Sequence, residues 1–230
     1  MFYNFDFYVI TRSLPYLFWE GMRFTMLLTA LATIGGILLG TFLALMRLSS
    51  LTALSTLAGG YVNLMRSLPL VLVIFWFYFL VPYIGAWFIG TNQPIAVGAF
   101  ASALVTFTLF EAAYFSEIMR AGIQSIPPGQ TAAGYAIGLK YWQVMGYIIL
   151  PQAFRNMLPV MLTQTIILFQ DTSLVYVISL TDFLGAASKI AQRDGRLVEM
   201  YIFAAIIYFA ISFTASLLVK RLEVRTAIIR

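Results

Sequence analysis

Between Ile126 and Pro151 the chain reads IPPGQTAAGYAIGLKYWQVMGYIILP. This is the longest interval between apolar runs that still carries the marks of folded structure. Pro127 and Pro128 stop the preceding helix, because proline lacks an N–H donor and its ring clashes with the turn before it. A short helix is predicted from Gly129 to Ile137, with Ala132, Ala133 and Ala136 as good helix formers. Gly138 ends it, since glycine takes the left-handed conformation at low cost. Tyr141 to Leu150 starts a second helix, and Pro151 sits where the chain re-enters an apolar run. The product is a helix–turn–helix with an alanine- and glycine-lined face that lets another surface approach closely. The alternative is a packed loop between helices.

The surroundings of that loop are apolar. The chain is 61% hydrophobic and 10% charged, with mean hydropathy +0.90. Globular domains are about half apolar and about a quarter charged, so this composition belongs to an integral membrane protein of one domain. The sequence has no cysteine and no histidine. Disulfides, thiolate nucleophiles, Cys/His metal sites and histidine general bases are therefore excluded. A phosphate-binding glycine loop ending in Gly-Lys-Ser/Thr is also missing, so ATP-driven work needs another polypeptide. The net charge is +5, carried in short segments between apolar runs, which speaks for membrane topology and against nucleic acid. No cleavable leader is expected, since no basic stretch precedes an apolar one.

Five spans are predicted. Residues 1–20 are too interrupted to cross and read as an interfacial segment, with Tyr8, Tyr16 and Trp19 suited to the headgroup zone. The first span is Phe24–Leu45, long enough for a hydrocarbon core of ~30 Å, with Gly35, Gly36 and Gly40 allowing close helix approach. Ser49–Met65 lies along the inner surface or forms the lower half of a kinked helix. Ser67 is expected to cap a new helix with Pro69 in its first turn. The second span follows from Leu68 to Trp87, the third from Ile95 to Phe115. The fourth, Ala153–Phe169, is broken by Pro159. Leu174–Leu180 is too short to cross, and Thr181–Glu199 is polar. Met200–Leu218 is the fifth span. The transmembrane domain is thus 21–222, with a tail at 223–230.

An odd number of spans puts the termini on opposite sides. One set of ends carries Arg47, Arg120, Lys140, Arg155, Lys220, Arg221, Arg225 and Arg230; the other carries Arg12, Arg23, Lys189, Arg193 and Arg196. The eight-to-five bias places the C-terminus and the Ile126–Pro151 loop in the cytoplasm and the N-terminus outside.

That loop resembles the EAA loop of bacterial ABC-importer permeases, E-A-A-x3-G-x9-I-x-L-P. Gly138, Ile148, Leu150 and Pro151 fall on its G, I, L and P, and Ala133 and Gly134 on its two alanines. Ala132 stands where the motif has glutamate, which bears on an acidic contact, not on docking itself. EAAYFSEIMRAGIQSIPPGQ, IILPQAFRNMLPVMLTQTIILFQDTSLVYVISL and YVNLMRSLPLV are similar to the polar amino-acid branch. The resemblance implies the all-α type I permease fold and import of glutamate and aspartate, or of another polar amino acid. It implies a bacterial inner-membrane location, a homologous permease partner, an ATPase dimer holding ATP and magnesium, and a periplasmic solute-binding protein. Gly129, Gln130, Ala132, Ala133, Gly134, Gly138, Ile148, Leu150 and Pro151 would then form the ATPase-coupling surface. An autonomous channel or secondary transporter, or a membrane scaffold, would leave that small-residue loop without a purpose.

Polar residues inside the membrane are costly and usually face a bundle interior or cavity. Candidates for a substrate path are Arg66, Glu111, Gln164, Gln170, Asp171, Thr172 and Ser173. Arginine suits a carboxylate through its two-donor fork, and aspartate suits an ammonium. Each also has a structural alternative. Arg66 pairs with Glu111, snorkels to the interface or satisfies backbone carbonyls; Asp171 is a pair or cap; and Gln164 bridges helices. Glu117 and Arg120 read as a surface pair three apart on one helix.

Overall fold

The computed structural model describes residues 5–226; residues 1–4 of the predicted interfacial segment and 227–230 of the predicted tail lie outside it. The described chain is helical, and five of its helices are long and apolar enough to cross a membrane. We label its helices α1 Phe7–Arg47, α2 Thr52–Ser67, α3 Leu70–Phe88, α4 Ala99–Gln124, α5 Pro128–Ala136, α6 Tyr141–Ile178, α7 Phe183–Asp194 and α8 Leu197–Thr226.

α1 differs from the expected short first span. It runs without interruption from Phe7, so residue 20 marks no break in the helix. Pro15 lies inside it, and the turn widens to π geometry at Leu17–Met22 just beyond. Such widened turns absorb a disturbed ladder without ending the helix.

The centre of the bundle is the α1–α4 contact. A Cβ on Gly36 would stand 2.9 Å from Glu111 Cβ, and one on Gly40 would stand 2.9 Å from Phe115 Cβ and 3.0 Å from the Ala112 carbonyl oxygen. These glycines sit four apart on one helix face, so the two backbones meet closely, as the sequence predicted. Leu28, Ala32, Val73, Phe107, Leu168 and Val175 fill the space among α1, α3, α4 and α6.

Two boundaries moved for identifiable reasons. Ser67 does not cap a helix: it ends α2, and its Oγ donates to the Asn63 carbonyl 2.7 Å away. The break falls at Leu68, φ −102° and ψ 141°, because the residue before a proline is driven extended. Pro159 does not break the fourth span. α6 passes through it, with packing around a buried Pro159 holding the helix while Thr163 Oγ1 donates to the Pro159 carbonyl at 3.0 Å. Beyond Asp171 the helix tightens to 3-10 geometry over Thr172–Ile178 and stops at Ser179, φ 64°.

The stretch expected to be simply polar, Thr181–Glu199, contains α7. Asp182 caps it, accepting from the backbone N–H groups of Leu184 and Gly185 at 2.9 Å each, and Gly195 at φ 66° closes it. Its inner face, Phe183, Ala186, Ala187, Ile190 and Ala191, packs with Val9, Leu17, Met200 and Ala204 of α1 and α8. Burial pushes the Asp182 carboxyl up to about 6, against the pull of its cap bonds and of Tyr208, whose hydroxyl donates at 3.3 Å.

Candidate functional site: the coupling loop and a polar seam

The loop folds close to its predicted form. α5 starts at Pro128, one residue ahead of the expected Gly129, because proline suits the first helical turn. Gly138 has φ 83°, its N–H donates to the Tyr135 carbonyl at 2.9 Å, and Leu139 N–H returns to the Gly134 carbonyl at 3.1 Å. The next helix is not a separate one. It runs from Tyr141 through a π stretch at Met145–Ile149 into the fourth span, with Pro151 inside its continuous course.

The small residues divide by face. Ala132, Ala133 and Ala136 are exposed on α5, with Gly129 and Gln130. Gly134 is buried and faces its own chain: a Cβ there would meet Val144 Cγ2 at 2.8 Å and Ile148 Cδ1 at 3.0 Å. Its smallness therefore serves the fold of the loop and not a partner's approach. Gly138 meets nothing within 4 Å, so its requirement is the left-handed backbone alone. Beneath the loop, Ile126, Val144, Ile149 and Ala153 form its core. Leu150 and Pro151 are exposed. So is an apolar patch that the motif did not single out: Ile137 at 75%, Trp142 at 80% and Tyr147 at 75%. Large exposed apolar residues in a loop of small ones could have flagged it from sequence.

The polar candidates gather into a seam on α2, α4 and α6. Glu111 is fully buried, and Gln164 Nε2 donates to both its carboxyl oxygens, at 3.1 and 3.3 Å. Gln164 thus bridges α4 and α6, as one reading of it anticipated. Arg66 does not pair with Glu111. Its guanidinium lies 5.6 Å above the Tyr114 ring and 3.9 Å from Glu117. Asp171 is half-buried with no hydrogen-bond partner among the described residues, close enough to Glu111 and Tyr114 to act on both electrostatically. Gln170 is exposed and Ser173 half-buried, whereas Thr172 is buried, with its hydroxyl donating to the Phe169 carbonyl at 2.7 Å.

Glu117 is more than one half of a surface pair. Its carboxylate accepts from Arg120 and from Arg47 of α1, and Arg66 of α2 stands beside them. One negative charge so ties together the ends of three helices and leaves positive charge in surplus. Sequence spacing showed only Arg120, since Arg47 lies 70 residues away.

Comparison with known proteins agrees with this architecture. The family "Binding-protein-dependent transport system inner membrane component" matches residues 36–228. The chain is 53% identical over 225 residues to the glutamate/aspartate import permease protein GltK of Escherichia coli O6:H1, covering 98% of this chain and all of that one. It is 35% identical, over 98% of this chain and 95% of the other, to the probable amino-acid ABC transporter permease protein YckA of Bacillus subtilis. It superposes with a TM-score of 0.84 at 34% identity on a chain from the crystal structure of an amino acid ABC transporter with histidines, covering 96% and 98% of the two chains. With five apolar spans, an EAA-type loop and matches over nearly its whole length, the chain belongs to the inner-membrane permease subunits of ABC importers, which work with a separate ATPase and a binding protein.

Proposed function

We propose that this permease passes glutamate and aspartate across the bacterial inner membrane, as one half of a heterodimer with a homologous permease. The observation that carries the substrate is the 53% identity to a glutamate/aspartate permease over its full length. The seam is chemically apt. Arg66 offers a two-donor fork to a carboxylate, and Asp171 and Gln164 offer acceptors to an ammonium. Gln170 is exposed on the single chain, and a polar group at membrane depth calls for a cover that a second permease supplies.

In this reading α5 and the following turn seat in a groove of the ATPase, through Gly129, Gln130, Ala132, Ala133 and the exposed Ile137 and Trp142. ATP and magnesium belong to that partner. The N-terminus is periplasmic and the C-terminus cytoplasmic. Arg66 stands beside Arg47 and Arg120 and adds to the inner-side bias.

The test is uptake of labelled amino acids by the importer reconstituted with its binding protein. Glutamate and aspartate should be carried and compete with each other. Transport of a neutral or basic amino acid alone would move the chain to another branch of the family.

A further inference from the structure

We propose that the open pocket between the start of α1 and the end of α7 is a docking site for an acidic side chain of the binding protein, gripped by Arg12 and Arg193. In the orientation proposed above, on which this rests, these helix ends face the periplasm.

The pocket has a volume of about 430 Å³ and is lined by Arg12, Ser13 and Tyr16 of α1 and by Ile190, Arg193 and Asp194 of α7. Its walls are fixed before any partner arrives. α7 is capped at both ends, by Asp182 and Gly195, and its inner face packs with Val9 and Leu17 of α1. Asp194 then joins the two helices. Arg193 donates to both its carboxylate oxygens, at 2.8 and 3.0 Å, and Arg12 donates across from α1 at 2.7 Å. These guanidinium groups, Arg193 foremost, hold the Asp194 carboxyl well below the usual carboxylate range. The Arg12 guanidinium also lies 5.7 Å over the Tyr8 ring. A site ordered in advance loses little entropy when it binds.

Two guanidinium groups share one carboxylate, so the pocket keeps a positive charge in surplus. Nearby, Arg196 is matched by Glu199 and Asp6, and Lys189 donates to Thr181. The surplus is therefore local to Arg12 and Arg193. An arginine carries five N–H donors. Arg12 gives one to Asp194 and Arg193 gives two, with no further acceptor among the described residues. Their side chains are 43% and 65% exposed, so the remaining donors face outward.

Spare guanidinium donors suit a carboxylate. Ile190 is the only aliphatic side chain in the lining, too little to seat a lipid chain. Exposed ion pairs are weak one at a time, so a free acid would be held poorly, whereas a carboxylate mounted on a protein is held by the rest of the contact as well. Arginine and tyrosine are also the side chains that concentrate binding energy at protein interfaces. Charged contacts at a rim speed encounter without making release slow, which fits a partner that must dock and leave in each cycle.

The experiment uses the complete importer in lipid nanodiscs, where both faces are open, and reads ATP hydrolysis as glutamate-loaded binding protein is titrated in. Arg193→Gln should raise the half-saturating concentration about fivefold, the upper range for an exposed ion pair, and leave the maximal rate unchanged. Arg193→Glu, which sets like charges face to face, should raise it about thirtyfold. Arg193→Lys keeps the charge and should stay near the parent. Raising ionic strength from ~0.05 to ~0.5 M should weaken the parent more than Arg193→Gln. A parental half-saturation in Arg193→Glu overturns the proposal. So does a lowered maximum with unchanged half-saturation, since the pocket would then act after docking. The orientation is checked apart from docking. The chain has no cysteine, so Arg193→Cys offers one thiol, which a membrane-impermeant maleimide should label in spheroplasts. Failure to label overturns the orientation itself, whereas labelling together with normal docking by Arg193→Glu overturns the docking site alone.

Discussion

Replacing Gly134 by valine should detach the ATPase while leaving the membrane bundle intact. The Cβ alone would stand 2.8 Å from Val144 Cγ2 and 3.0 Å from Ile148 Cδ1. Carbon pairs are at ease near ~3.5–4.0 Å, so even alanine forces a shift. Ile148 Cδ1 ends a flexible, half-buried side chain and yields. Val144 is buried in the loop's core and branched at Cβ, so it does not swing free. Overpacking of this kind costs ~1 kcal/mol for alanine and about 3 kcal/mol for valine with its two further methyl groups. Since 1.4 kcal/mol is a factor of ten, the correctly shaped loop becomes about fivefold rarer for Gly134→Ala and about a hundredfold rarer for Gly134→Val. Gly138 provides the contrast. It meets nothing, so Gly138→Ala costs only the left-handed backbone, about 1–2 kcal/mol, and Gly138→Asn less. Gly138→Asp adds a charge to the docking face on top of that strain. The assay is recovery of the ATPase on tagged permease in mild detergent, with uptake measured alongside. Recovery should fall in the order parent, Gly134→Ala, Gly134→Val, with the permease partner retained throughout. If Gly134→Val and Gly138→Asp both keep full ATPase recovery and full uptake, the assignment of this loop to coupling is wrong.

Ala132→Glu restores the motif's acidic residue on an exposed position and should leave ATPase recovery unchanged or raised; a clear loss would mean that the cognate groove accepts only a small residue there. Glu117→Gln removes the anion shared by Arg47, Arg120 and Arg66, and should lower stability by about 2 kcal/mol, seen as a lower Tm of the purified complex; an unchanged Tm would show the helix ends to be held without it. Asp182 should make stability pH-dependent. Its folded carboxyl, pushed up to about 6 by burial, keeps a proton that the unfolded chain releases near ~4. The folded state therefore binds more protons in that window, and stability is highest below it and falls as pH rises from ~4 through ~6, by up to about 3 kcal/mol. Asp182→Asn still caps α7 and should flatten that part of the Tm-against-pH curve; an unchanged slope would place its origin elsewhere.

Run lengths of apolar residues were enough to find five spans, because hydrocarbon thickness sets a minimum length that any crossing helix must meet. The loop between Ile126 and Pro151 was equally legible. Proline and glycine act through their own backbone, and Gly138 took its left-handed turn at the predicted residue. Close approach at Gly36 and Gly40 was also foreseeable, since small residues four apart on an apolar helix have few other uses. α7 could have been read too, with Asp182 at its start, Gly195 at its end and alanines at helical spacing. Its polar average concealed it.

Partners across the chain were a different matter. One structural alternative paired Arg66 with Glu111, but Arg66 lies over Tyr114 and beside Glu117, while Glu111 holds Gln164, 53 residues away. Both pairings satisfy the same charge and hydrogen-bonding rules. Only the crossing of α2, α4 and α6 selects between them. Likewise, nothing local says that Gly134 faces inward while Ala133 faces out. That follows from how α5 folds back on Val144 and Ile148. Local backbone chemistry and span length are properties of neighbours in sequence, whereas the seam and the docking face depend on which helix surfaces meet, and that is decided by packing of the whole bundle.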